Sequence, residues 1–162
     1  MASGDVNEDG VQDLVVLTHA PGFHFFVSVL LGSGSGALGP PTSTTIPSGT
    51  LAECVALGDL NRDGHADLLL GIYEADGLHV DLALGTGTGT FGVASSVSAG
   101  GDLVTVADVN ADSKVDLVLP GPGDGVNVLL NADPDMAGIP WTPLGHGLAG
   151  TGGHQAILAG GG

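Results

Sequence analysis

The sequence predicts an all-β chain built from three copies of one four-stranded unit. An acidic nine-residue segment occurs three times, at 5–13, 59–67 and 108–116, and each runs straight into an apolar stretch. These segments begin 54 and 49 residues apart (59 − 5 and 108 − 59), a period that accommodates four short strands and their turns. Thirty glycines and nine prolines in 162 residues, with no apolar pattern of helical period, point to many turns and no long helix.

Each unit reads as four strands in order. The strand leading into the acidic segment lies at 51–57 and 103–107, and residues 155–159 carry the same pattern. The second strand follows the segment at 14–18, 68–73 and 117–119, and is a run of Leu and Val. The third, at 25–31, 78–84 and 125–130, shows period-2 alternation. The fourth falls in Ser- and Thr-rich pieces at 42–46, 92–98 and 141–144. Turn residues mark boundaries at Pro21-Gly22, Asp76-Gly77 and Gly121-Pro122-Gly123.

The chain is thus expected to be one domain of three repeats, about 5–58, 59–107 and 108–161. Units of this length fall in the range of β-propeller blades, and three blades are fewer than the roughly four to eight that close a ring. Residue 5 already lies in the first acidic segment, so that blade is expected to lack its leading strand. The expectation is that strand 154–159 completes the first blade of a neighbouring chain, a homodimer then closing a six-bladed ring without exposed edges. The alternative is that further blades belong to a longer chain.

Composition narrows the classes. Hydrophobic residues are 43% but aromatics only 4%, so the core must be aliphatic. Two basic residues, Arg62 and Lys114, against eighteen acidic ones leave a net charge of −16, which disfavours nucleic acid and anionic membrane surfaces as partners. No apolar run approaches the ~20 residues of a membrane span, so no membrane insertion is expected. A signal peptide is not visible at Met1. Cys54, the one cysteine, excludes an internal disulfide and reads as a small core residue.

Ten of the eighteen acids sit inside the three segments, at regular offsets that a solvated acidic face would not require. Calcium takes six to eight hard oxygen ligands from a flexible loop. Positions 1, 3, 5 and 9 offer side-chain oxygens: Asp5, Asn7, Asp9 and Asp13; Asp59, Asn61, Asp63 and Asp67; Asp108, Asn110, Asp112 and Asp116. Position 7 offers its backbone carbonyl, at Val11, His65 and Lys114. The turn about the ion needs positive φ at position 6, which Gly10 and Gly64 supply and Ser113 does not favour, so the third loop is expected to bind most weakly or to close without metal. An EF-hand would need Glu at position 12, where Val16, Leu70 and Leu119 stand inside predicted strands.

These segments resemble the FG-GAP/VCBS repeat, the blade of integrin α-subunit-like β-propellers, in Asp-x-Asn-x-Asp-Gly-x-x-Asp followed by Leu and further aliphatic residues. The Gly-rich turn after the third strand, at 32–36 and at 85–92 with Thr90, Phe91 and Gly92, matches as well. The resemblance covers nearly the whole chain and departs at Ser113 and at 131–136. It implies structural calcium and a role in adhesion or recognition, in an extracellular, secreted setting. Related propellers include fungal lectins that bind sugars between blades.

The function expected is a calcium-stabilised, non-catalytic recognition module, lectin-like towards carbohydrate or adhesive towards an extracellular protein. Contacts to a glycan or protein would come from His19, His24, Tyr73, Glu74, Trp141 and His146. The alternative is a purely structural self-assembling repeat fragment with no ligand beyond calcium. No enzyme is expected: the six histidines form no HExxH, and no Gly-x-Ser-x-Gly or phosphate loop occurs.

Overall fold

The computed structural model describes residues 1–21, 24–45, 51–74, 77–99, 103–121, 125–131 and 142–143. They form three four-stranded antiparallel sheets, each taken in chain order. The first holds β1 (Ala2–Gly4), β2 (Asp13–Ala20), β3 (His24–Leu30) and β4 (Thr42–Thr45). Next come β5 (Leu51–Gly58), β6 (Asp67–Glu74), β7 (Gly77–Ala83) and β8 (Ser95–Ala99), and then β9 (Thr105–Ala107), β10 (Asp116–Pro120), β11 (Val126–Leu130) and β12 (Thr142–Pro143). No helix occurs among the described residues, and so none that is long and apolar enough to cross a membrane.

One expectation is corrected. The first sheet does not lack its leading strand: Ala2–Gly4 pairs with the start of β2, Ala2 opposite Val15 and Gly4 opposite Asp13. That pairing satisfies their backbone hydrogen bonds, and Ala2 packs against the core between the first two sheets. The strand expected at 154–159 lies outside the described residues, as do Trp141 and His146.

The sheets stack face to face, and strand alternation decides which residues meet. Val15, Val27 and Val29 of the first sheet pack with Val55, Leu68, Leu70 and Ile72 of the second. Leu69, Val80 and Leu82 point from the opposite face of the second sheet and pack with Val104, Leu117, Leu119 and Leu129 of the third. The central strand β6 is therefore covered on both faces, and every residue from Asp67 to Ile72 is buried. In β2 the exposure alternates instead: Val15 is buried while Leu14 and Val16 are half-buried.

The acidic segments also join the sheets. Val6, at position 2 of the first, is buried in the core between sheets one and two, and Leu60 is buried in the core between sheets two and three. Burying a Val or Leu contributes about 1.5–3 kcal/mol. Their carbonyls are used as well: Gly89 N–H donates to Val6 O at 2.8 Å, and Asn131 Nδ2 donates to Leu60 O at 2.7 Å. The first two acidic segments thus each join their own sheet to the following one.

Candidate metal-binding loops

The three acidic segments share one wiring. In the first, Asp5 accepts the N–H of Asp9 through Oδ1 at 3.2 Å and of Gly10 through Oδ2 at 2.8 Å. Asn7 Oδ1 accepts the Asp9 N–H, Asn7 Nδ2 donates to Asp9 Oδ2, and Asp9 Oδ1 accepts the Val11 N–H. Asp108, Asn110 and Asp112 repeat these contacts in the third segment, with Ser113 N–H donating to Asp108 at 2.9 Å. In the second, Asn61 and Asp63 do the same and Gly64 N–H donates to Asp59 Oδ2. Asp59 Oδ1, however, is buried with no hydrogen-bond partner.

Positive φ winds each loop at two places. Position 6 takes it at Gly10 (81°), Gly64 (92°) and also at Ser113 (67°). Ser113 therefore does not change the loop's path; it adopts the left-handed region at a cost of roughly 1 kcal/mol relative to glycine. Position 4 also takes positive φ, at Glu8, Arg62 and Ala111. These three residues share no side-chain chemistry, so no sequence signal marks the position.

Position 9 is a clamp. Asp13 Oδ2 accepts the Val6 N–H at 2.9 Å and its Oδ1 the Gly32 N–H at 2.7 Å. Asp67 accepts from Leu60 and Gly85, both at 2.8 Å, and Asp116 from Val109 and Asn131. All three carboxylates are buried. Burial pushes the Asp67 carboxyl above its ordinary value, against the pull of the Gly85 and Leu60 N–H groups. The turn after the third strand comes so close that a Cβ on Gly32 would lie 2.3 Å from Gln12 O, and one on Gly85 2.2 Å from Ala66 O. In the third sheet Asn131 takes this place, and its Nδ2 donates to the corresponding carbonyl, Val115 O, at 3.3 Å.

Charges between and within the loops are partly paired. The His65 imidazole pairs with Glu8 of the preceding loop, which raises the His65 pKa. Burial pushes Asp63 up, but the His65 N–H, the Asn61 amide and the His65 charge outweigh it and hold the carboxyl below its ordinary range. Lys114 Nζ lies 3.4 Å from Asp112 and donates to Asn131 O at 3.2 Å. The Lys114 N–H and the Asn110 amide hold Asp112 low, with the ammonium adding to them.

The donor set suits a hard cation, and the orphaned Asp59 Oδ1 is an oxygen for which a cation would be a partner. Among the described residues, though, no three His, Cys, Asp or Glu side chains converge as a metal-holding group, because the loop oxygens are turned onto N–H groups.

At the far end of the strands from these loops, His19 and Tyr73 occupy equivalent places on β2 and β6, six residues past Asp13 and Asp67. Both are exposed, and the His19 ring lies 6.1 Å from that of Phe25. Glu74 follows Tyr73, with its carboxylate 3.8 Å from His79 Nε2. His24 pairs with Ala20 through its backbone. Cys54 is half-buried and its Sγ accepts the Val104 N–H at 3.2 Å.

The fold and loops define an all-β repeat protein whose sheets are joined by Asp/Asn-rich segments. Residues 5–70 match the family model described as FG-GAP-like repeat. That stretch, similar to an FG-GAP-like repeat, runs from the first acidic segment into β6. No curated protein and no solved structure gives a significant match.

Proposed function

We propose that the chain is a calcium-stabilised β-propeller segment acting as a non-catalytic recognition module, with a carbohydrate or an extracellular protein as its ligand. The observation that carries this reading is the shared loop: three segments with one wiring of side-chain oxygens, in a chain whose residues 5–70 match the FG-GAP-like repeat. Calcium would be held by Asp5, Asn7 and Asp9, by Asp59, Asn61 and Asp63, and by the same positions of the third loop, with the position-9 carboxylates and position-7 carbonyls in support. Bound ions would offset the acidic crowding and stabilise the fold by mass action. His19, Tyr73 and Glu74 are the ligand contacts proposed at the opposite end. Calcium titration followed by thermal melting tests the metal, and a glycan array in calcium buffer tests the lectin reading. A melting temperature indifferent to calcium and chelator refutes the first, and an empty array refutes the second.

A second reading is supported by the faces of the stack. Leu14, Val16 and Leu30 of the first sheet stand where Leu68, Leu70 and Ala83 of the second pack on their neighbour, and none of the three is fully buried. On the third sheet Val118 stands where Leu69 is buried. These faces suit a further blade of the same kind, which a second copy would provide in a six-bladed homodimer. Molar mass by light scattering, with calcium and then chelator, decides it: a monomer at micromolar concentration excludes the dimer.

A further inference from the structure

A cavity of about 550 Å³ lies between the first and second sheets, within the range of small-molecule sites. Val27 and Val29 line it from the first sheet and Leu68 and Leu70 from the second, with threonines and two acids among the remaining lining. Two features of the second repeat open it. Ala83 pairs with Leu68 where the other sheets pair Leu30 with Leu14 and Leu129 with Leu117, so a leucine's volume is missing here. The register of β7 with β8 also shifts between Val80 and Asp81, a bulge that re-aims the neighbouring side chains.

Asp81 lines this cavity, and so does Glu74. The Asp81 carboxylate has Ser96 as a hydrogen-bonding neighbour, but its Oδ1 is buried with no hydrogen-bond partner. In the first sheet the same position is Ser28, whose hydroxyl is satisfied by Ser43 at 2.7 Å. The second repeat thus places an acid where the first has a neutral, paired hydroxyl. An unpartnered buried carboxylate oxygen is costly, and a cation that also buries apolar surface would relieve it. Among the described residues the cationic neighbour of Asp81 is His79, which lies 3.8 Å from Glu74 and carries charge only when protonated.

We propose that this cavity binds a small organic cation, a protonated amine on an apolar body, with Asp81 as counter-ion and the Val27, Val29, Leu68 and Leu70 side chains around the apolar part. No residue of the three acidic segments lines this cavity, and the proposal does not depend on the calcium reading. Calorimetric titration with n-hexylammonium chloride and, separately, with 1-hexanol tests it at physiological salt. Hexylammonium should bind at least about tenfold tighter than hexanol, and Asp81→Asn should remove at least about tenfold of that affinity. Ala83→Leu should abolish binding of both by filling the space, with a urea midpoint no lower than that of the unaltered chain. Glu53→Gln, an exposed acid on β5, should leave binding unchanged. No binding by the folded protein, equal affinity for the alcohol, or equal losses from Asp81→Asn and Glu53→Gln would each overturn the proposal. Should Ala83→Leu unfold the chain, the alcohol comparison and Asp81→Asn still decide it.

Discussion

Asp67→Ala separates two roles that one carboxylate can play. As a clamp, Asp67 accepts the Leu60 and Gly85 N–H groups at 2.8 Å each, from a fully buried position. Its loss leaves two backbone donors without partners, at about 1–3 kcal/mol each. Removing the carboxyl also releases the strain of a buried charge, whose raised pKa shows that burial disfavours the ionised form. The net loss should be about 2–4 kcal/mol, a large share of the 5–15 kcal/mol that holds a typical domain. With a urea m-value of about 2 kcal/mol/M this moves the midpoint down by about 1–2 M. The assay is urea unfolding in chelator, with Asp63→Ala as the comparison, since Asp63 is exposed and bonds only within its own loop. A pure metal ligand would lose nothing in chelator. A loss below about 1 kcal/mol for Asp67→Ala, with the calcium response gone, would refute the clamp.

Gly85→Ala should lower the urea midpoint strongly, by roughly 2–4 kcal/mol, because a Cβ 2.2 Å from Ala66 O must displace backbone. Ser113→Gly should raise stability by roughly 1 kcal/mol in the same assay, by relieving φ of 67°. Acid should stabilise the second sheet. Burial lifts the folded-state pKa of Asp81 above its ordinary 3.8, so the folded chain binds the extra proton just above that pH. The stability is present below 3.8 and is lost as pH rises through the folded value, with Asp67 adding in the same direction. Urea midpoints measured upward from that pH should fall less steeply in Asp81→Asn.

The repeat was legible because oxygen-bearing residues at odd offsets, followed by aliphatic runs, leave few alternatives. β2, β6 and β10 begin at the last residue of each acidic segment, one residue before the apolar run. β1 was not legible, since Ala2, Ser3 and Gly4 carry no pattern and are strand only by pairing with β2. The positive φ of Glu8, Arg62 and Ala111 is a backbone demand written in no side chain. Position 2 did carry a signal: Val6, Leu60 and Val109 are apolar within polar segments, and the first two are core. For Asp13, Asp67 and Asp116 the residue type announced an oxygen but not its partner, which is N–H on both sides. The cavity could emerge only once register set Ala83 against Leu30 and Leu129.

What recurs among the three units is the wiring more than the residues. Gly32 and Gly85 bring an N–H onto the position-9 carboxylate by coming too close to the position-8 carbonyl for any side chain. Asn131 reaches the same end differently, donating its own N–H to Asp116 while its amide bonds that carbonyl and crosses to Leu60 of the preceding loop. The substitutions of the third unit thus compensate one another. Lys114 then brings an ammonium to Asp112 and to Asn131 O. The third loop's cation thus lies against a carboxylate of its own loop. Part of the third loop's negative charge is thereby met from within the chain, which lowers what a bound calcium ion would add there.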